Sequence, residues 1–174
     1  MEKTVRRAGK LIPLAQARRV GVVLNLENPD CAESVRYLND EAARFGFAID
    51  YLLINPFKVA IPQWALRDGM TVINYKVDFD GACRFITGTA EKFWIQERDY
   101  LIALSAAPSS IIDAIMQESA AGFKIGRAGS ASERIYDLTV RIGWNERGGN
   151  LAELLLSSLK VLTREIDQRE DEEL

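Results

Sequence analysis

The sequence of 174 residues contains no histidine, and this absence removes several kinds of catalytic site. The chain cannot by itself form a Ser-His-Asp or Cys-His nucleophile, because both need an imidazole as the general base. Zinc and iron sites with histidine ligands are excluded for the same reason. An enzyme built from this chain would have to use carboxylates, lysine, tyrosine, cysteine or backbone dipoles.

Cysteine is also scarce, with two residues, Cys31 and Cys83. Two cysteines far apart in a chain of this length do not form the disulfide framework of a small secreted domain. The sequence therefore predicts a reduced, cytoplasmic protein with small buried thiols.

No segment approaches the roughly 20 apolar residues that cross a bilayer, so no membrane span is expected. Lys10 and Pro13 interrupt the apolar run behind the basic N-terminus, which argues against a secretory signal.

Neither sign of charge is in large excess, since 22 lysines and arginines face 25 aspartates and glutamates for a net charge of −3. This balance gives no electrostatic reason to expect nucleic acid as a partner.

A hydrophobic content of 48% is enough for a core, and the length suits one domain. We therefore predict a single domain over residues 1–174. A basic N-terminal helix within residues 1–18 and an acidic, frayed tail at residues 167–174 flank it, and the tail can neutralise the helix.

Short apolar segments alternate with helical patterns along the chain, which predicts a three-layer α/β sandwich with a mostly parallel, doubly wound sheet of about six strands. The predicted strands cover residues 20–26, 47–54, 70–77, 100–104, 123–125 and 134–142. Right-handed crossovers favour an order such as 3-2-1-4-5. The loop before the sixth strand is too short for a helical crossover, so we predict that this last strand is antiparallel. Residues 56–69 and 82–97 give the weakest patterns, with one helical turn near Trp64 and a short helix from Thr89 to Glu97.

Polar residues follow the first and fourth predicted strands, at the point where the strand order reverses. Ligands of doubly wound sheets bind outside the carboxyl ends of the strands at this point, and two helix N-termini there attract anions. The candidate ligand-binding residues are Asn28, Asp30, Ser105, Ser109, Ser110 and Arg127. A competing interpretation is that Asp30, Ser109 and Ser110 only cap their helices, with Asp30 and Glu33 forming a capping box. No nucleotide-binding glycine motif occurs, and the sequence predicts no cofactor and no metal site.

Cys31 is a candidate for redox chemistry because it lies in the first turn of the predicted first helix, where the helix dipole lowers a thiol pKa. The segment from Cys31 to Ser34 has the C-x-x-S form of a monothiol redox site. Asp30 and Glu33 flank the thiol and act in the opposite direction, because negative charge raises a thiol pKa. The alternative is an ordinary cysteine at the start of a helix.

One block of the sequence comprises the strand Asp99–Leu104, the following helix, the segment Gly122–Arg127 and the segment Tyr136–Val140. This block resembles a domain-of-unknown-function family of small bacterial cytosolic proteins. The strand that starts at Val20 and the leucine-rich last helix extend the resemblance from about Arg19 to Ile166. The block is also similar to one half of some two-domain sugar-transferring enzymes, whose second, nucleotide-binding domain has no room in this chain. The resemblance implies a fold and offers no catalytic residues.

The sequence favours a non-catalytic domain that binds a partner, with a homodimer as one form of that partnership. The helix from Asn150 and the loop with Phe57 and Trp64 are candidate contact surfaces, although large aromatic residues more often fold back over a core. Two alternatives remain open. The first is a small-molecule or anion binder, or a weak enzyme, that uses the carboxyl edge of the sheet. The second is a monothiol redox protein that uses Cys31.

Overall fold

The computed structural model describes residues 9–57, 59–128, 134–141 and 151–172. The α-helices of this part of the chain are α1 (Cys31–Phe45), α2 (Thr89–Trp94), α3 (Ser110–Glu118) and α4 (Leu151–Glu172). Its strands are β1 (Arg19–Asn25), β2 (Ala48–Asn55), β3 (Met70–Asn74), β4 (Arg98–Leu104), β5 (Ala121–Arg127) and β6 (Leu138–Val140). Short 3-10 helices cover Leu14–Gln16 and Gln63–Leu66. No helix among these residues combines the length and apolarity that a membrane crossing needs.

The six strands form one sheet in the order β3-β2-β1-β4-β5-β6, and every neighbouring pair is parallel. This arrangement confirms the predicted α/β fold and the predicted order of the first five strands. The strand order reverses between β1 and β4, as expected. The carboxyl edge and the amino edge of the sheet are named here after the strand ends that lie there.

The prediction of an antiparallel last strand is wrong, because β6 pairs in parallel with β5. The two residues just before β6, Tyr136 and Asp137, lie beside β5. Asp137 donates its backbone N–H to the Lys124 carbonyl oxygen at 2.8 Å and accepts the Lys124 N–H on Oδ2 at 2.7 Å. Tyr136 lies directly on Gly126, where a Cβ atom would come within 2.7 Å of the tyrosine Cδ1. The missing side chain at Gly126 thus lets a short connection pass close to the strand.

Helices cover both faces of the sheet, which explains why the central strands are apolar on both sides. On one face, α1 and α4 pack over alternate strand residues such as Val22 and Tyr100. On the other face, α2 and α3 pack over residues such as Val23 and Leu101. At the end of α1, Gly46 has a φ of +82°, the left-handed conformation in which glycine commonly ends a helix.

The predicted basic N-terminal helix is wrong over residues 9–13, and residues 1–8 lie outside the described residues. The hydroxyl of Tyr100 accepts the Ile12 N–H at 3.0 Å and donates to the Ile12 carbonyl oxygen. These backbone groups are therefore bonded to the sheet and not to a helical turn. Pro13 is extended, and only Leu14–Gln16 forms a short 3-10 helix. At the other end, α4 stays helical to Glu172, beyond residue 167 where we predicted a frayed tail.

An arginine on β4 crosses β1 near the amino edge. The buried Arg98 guanidinium donates through Nε to Asp50 Oδ1 on β2 at 3.0 Å and through Nη2 to Asp50 Oδ2. It also donates to the carbonyl oxygens of Phe93 and Gln96 and lies 3.9 Å from the Phe93 ring centroid. Gly21 makes the crossing possible, because a Cβ atom there would lie 2.5 Å from Arg98 Nε.

Candidate functional site

Asn28 joins the two loops at the point where the strand order reverses. Its Nδ2 donates to the Leu104 carbonyl oxygen at 3.0 Å, and its Oδ1 accepts the Ala106 N–H at 3.2 Å. The residue is only 7% exposed. Both polar atoms of the amide are therefore used to hold the end of β4 against the loop that follows β1. The side chain of Asn28 thus already serves the fold at this position.

Asp30 precedes α1 as predicted, but its side chain makes no capping hydrogen bond to α1. The predicted capping box with Glu33 is therefore wrong. The Asp30 carboxylate instead accepts the N–H of Leu151, the first residue of α4, at 3.1 Å. Asn150, from which the sequence predicts this helix to run, lies outside the described residues. Asp30 thus stabilises a helix that is distant in sequence, since a carboxylate at a helix N-terminus satisfies a free N–H and interacts favourably with the dipole.

The remaining candidate residues of the carboxyl edge lie close together, but they bind neighbouring backbone. The Ser105 hydroxyl donates to the Ala107 carbonyl oxygen, and Arg127 donates to the Ala106 carbonyl oxygen. Ser109 caps α3 as predicted, accepting the Ile112 N–H at 3.4 Å. The cavity beside these side chains has a volume of about 20 Å³, which holds about one water molecule.

A tyrosine–aspartate pair also lines this cavity, and the sequence did not single it out as a site. Tyr136 donates its hydroxyl to Asp113 Oδ1 at 2.9 Å. Burial and the negative charge of Asp113 raise the Tyr136 pKa above its usual range. The phenol is therefore a neutral donor at physiological pH, and the pair ties the β5–β6 connection to α3.

Cys31 is buried, with 6% of its surface exposed, and its thiol lies 3.7 Å from the Asn25 carbonyl oxygen. Burial first and the Asp30 charge second raise its pKa to about 12. At that pKa, about one molecule in 100,000 carries a thiolate at pH 7, and the thiolate is the reactive form. The burial of Cys31 and its raised pKa argue against the alternative of a monothiol redox protein.

Cys83 makes a contact that the sequence did not predict. Its Sγ lies 3.2 Å from the hydroxyl of Ser110 at the start of α3. Ser110, the last of the candidate ligand-binding residues, is thus bonded to the loop that follows β3. The two residues are 27 positions apart, and no local pattern connects them.

The loops that follow β2 and β3 present apolar side chains to solvent. We name these residues the apolar loop surface: Phe57, Val59, Val77 and Ile86. Phe57 is 69% exposed, whereas Trp64, the other aromatic residue of the predicted contact loop, packs against the core. Of the two aromatic residues of the predicted contact surface, Phe57 alone is exposed, and the contact itself stays a prediction.

Asparagine side chains hold these two loops together. Asn55 bonds the Val59 backbone through both its Nδ2, at 3.0 Å, and its Oδ1, at 3.1 Å. The same Nδ2 donates to Asn74 Oδ1 at 3.0 Å, and the Asn74 carbonyl oxygen accepts the Val77 N–H at 3.2 Å. Asp78 fixes the second loop by accepting the Asn74 N–H at 2.8 Å and the Thr87 hydroxyl at 2.7 Å.

A larger groove of about 540 Å³ lies at the amino edge. The starts of β1, β4 and β5 line it with Arg18, Arg19, Glu97–Asp99 and Ala120–Gly122, and we name it the amino-edge groove. Doubly wound sheets bind ligands at the opposite edge, so sequence reasoning did not point here. Among the described residues, no group of three or more cysteine, aspartate or glutamate side chains is placed to hold a metal ion.

A family model described as a family of unknown function, DUF6913, matches residues 2–162. The match covers most of the chain, so the chain belongs to this family. This finding confirms the resemblance to a family of unknown function. No curated protein shows a significant match.

Proposed function

We propose that this member of the family acts by binding a protein partner through the apolar loop surface and catalyses no reaction itself. The observation that carries the proposal is the exposure of Phe57 on a loop that hydrogen bonds hold in place. Exposed aromatic residues surrounded by aliphatic ones are typical of protein contact sites. A phenylalanine that served only the fold would gain about 1.5–3 kcal/mol by burial, and this one does not.

The arrangement of the loops supports the proposal further. The Asn55–Asn74 contact joins their bases, and Asp78 holds the second loop, so the surface is formed before a partner arrives. A preformed surface loses less conformational entropy on binding than a flexible one, which favours affinity.

The alternative of a small-anion site at the carboxyl edge has less support. Asn28, Ser105 and Arg127 already bind the backbone of residues 104–107. The adjoining cavity holds about one water molecule. A thermal-shift screen with phosphate, carboxylates and nucleotides tests this alternative, because a ligand that binds only the folded state raises Tm.

Site-specific photo-crosslinking tests the proposed function. A photo-reactive phenylalanine analogue replaces Phe57 in cells that naturally express the chain, and Leu66 serves as the control position because it is 68% exposed. The proposal predicts a discrete crosslinked protein from position 57 and none from position 66. The same crosslink should disappear when Val77→Ser is added, because this change makes the surface more polar while the side chain stays in solvent. Equal labelling from both positions, or none from position 57, would contradict the proposal.

A further inference from the structure

The loop between β3 and α2, which carries Val77 and Ile86 of the apolar loop surface, is strained. Two residues other than glycine have a left-handed backbone among those that the structure describes, and both lie in this loop: Lys76, with a φ of +62°, and Cys83, with a φ of +58°. A Cβ atom crowds the backbone in this conformation, so glycine or asparagine usually occupies such positions. The loop therefore keeps a lysine at a position that its backbone disfavours.

The Lys76 side chain contributes little to the fold. It is exposed, and its Nζ lies 5.6 Å from the Tyr75 ring centroid, a contact that is weak at an exposed site. No aspartate or glutamate in the described ranges forms an ion pair with it. Its backbone N–H donates to the Phe79 carbonyl oxygen at 2.7 Å, and glycine or asparagine would supply the same donor. The fold thus gains little from the side chain that causes the strain, and strained residues of this kind are concentrated at functional sites.

The other charged groups of the loop are already bonded within it. Asp80 accepts the N–H groups of Ala82 and Arg84 on Oδ1, each at 2.9 Å, and its Oδ2 forms an ion pair with Arg84 Nε at 2.9 Å. Asp78 is buried and accepts hydrogen bonds from two donors of β3 and the loop. Lys76 is therefore the charged residue of this loop that faces solvent without an ion-pair partner in the described part of the chain.

Lys76 lies next to the apolar loop surface. Val77 follows it directly, and the Tyr75 N–H before it bonds the Asn55 carbonyl oxygen at the end of β2, at 3.0 Å. The lysine thus begins the second loop where that loop meets the base of the first, which carries Phe57. Protein contact sites combine an apolar centre with a polar margin, and a charge at the margin selects the partner and fixes its orientation. The ammonium group and the exposed apolar side chains match this arrangement.

We infer that the partner of the apolar loop surface is a different protein that presents a carboxylate to Lys76 beside an apolar patch. The inference rests on the proposed function, since it names the chemistry of the partner at the same surface. A second copy of the chain fits less well, because a twofold contact through this surface would place like charges on the facing sides. A carboxylate pairs with the lysine instead, and the attraction guides the two proteins together in one register.

Charge variants of Lys76, combined with the photo-crosslinking group at position 57, test the inference. Lys76→Glu reverses the charge, Lys76→Arg keeps it, and Lys76→Asn removes it while relieving the backbone strain. The control Lys92→Glu reverses the charge of another exposed lysine, which lies on α2 outside the apolar loop surface. Mass spectrometry identifies the crosslinked partner and the carboxylates near the attachment point. Circular dichroism melts of the purified variants measure Tm.

The inference predicts that Lys76→Glu lowers the crosslink yield at least about fivefold, because like charges then face each other. Lys76→Asn should also lower the yield, although its Tm equals or exceeds that of the wild type because asparagine tolerates the left-handed backbone. A purely structural role of the lysine would not produce this combination. Lys76→Arg and Lys92→Glu keep the wild-type yield. Replacing the partner's mapped carboxylate by lysine restores the crosslink of Lys76→Glu.

The outcomes separate this inference from the proposed function. An unchanged yield with Lys76→Glu, an equal loss with Lys92→Glu, no rescue by the partner's charge change, or a crosslink to a second copy of the chain would overturn the inference alone. In each of these cases the wild type still forms a crosslink to a protein from position 57. No crosslink from the wild type, or label recovered on lipid, would contradict both the proposed function and the inference.

Discussion

Replacing Gly21 by alanine tests the account of the buried arginine that crosses β1. A Cβ atom at Gly21 would lie 2.5 Å from Arg98 Nε and 2.8 Å from Leu101 Cδ1. The arginine cannot simply swing aside, because Asp50 and the carbonyl oxygens of Phe93 and Gln96 hold its guanidinium. The added methyl group therefore forces either the strand or the arginine to move.

The expected loss of stability depends on which group the added methyl displaces. Overpacking a core costs about 1–3 kcal/mol when the neighbours shift slightly. Breaking a buried ion pair by displacing one partner costs about 3–5 kcal/mol. The Asp50 side chain keeps 27% exposure, so water solvates part of its charge and lowers that cost. We therefore expect Gly21→Ala to reduce the free energy of unfolding by about 3 kcal/mol.

A double-mutant cycle measured by urea unfolding separates this mechanism from a general effect on the strand. The Arg98→Met variant has no guanidinium for the alanine to displace, and the Leu101 side chain can rotate away. Gly21→Ala should then cost about 1 kcal/mol, which gives a coupling energy of about 2 kcal/mol between the two positions. Additive effects, or a cost below about 0.5 kcal/mol for Gly21→Ala alone, would refute the reasoning.

Three further predictions concern contacts that join distant parts of the chain. Tyr100→Phe removes the hydroxyl that binds the Ile12 N–H and carbonyl oxygen, so the free energy of unfolding should fall by about 1–2 kcal/mol. Amide hydrogen exchange over residues 9–17 should accelerate, and unchanged exchange would contradict this prediction. Asp30→Ala removes the acceptor for the Leu151 N–H and should cost about 1 kcal/mol in urea unfolding, whereas Asp30→Asn, which keeps an acceptor, should recover most of the loss. The Cys31 pKa is raised from 9.0 to about 12, so its contribution to stability is complete below pH 9 and is lost as the pH rises to 12. The pH profile of Cys31→Ala should therefore be flatter in that window, and identical profiles would count against burial of the thiol.

The order of the sheet was predictable because it depends on local patterns. Strands such as β1 and β4 are apolar on both faces, and helix-length segments separate the first five strands, so crossovers with one handedness leave few topologies. The direction of β6 was not predictable from loop length. It depends on the hydrogen bonds between Asp137 and Lys124 and on the space above Gly126 that Tyr136 occupies.

The residues of the candidate site show the same difference between local patterns, which were predictable, and tertiary contacts, which were not. Ser109 was predictable as a cap, because its bond partner lies three residues away on the same helix. Asp30 was not, because its partner Leu151 is 121 residues distant. The amino-edge groove escaped prediction because it is formed by the starts of strands that are adjacent in space and separated in sequence. Local sequence patterns thus predicted the strands and helices. The hydrogen-bond partners of the polar residues at their ends depend on tertiary contacts.

We propose that the apolar loops, and not the polar residues of the carboxyl edge, carry the function. The most direct measurement is the yield of the crosslink from position 57 in two backgrounds, Val77→Ser and Arg127→Gln. The account predicts that Val77→Ser abolishes the crosslink and that Arg127→Gln leaves it at the wild-type level. A crosslink that survives Val77→Ser and disappears with Arg127→Gln would contradict the account.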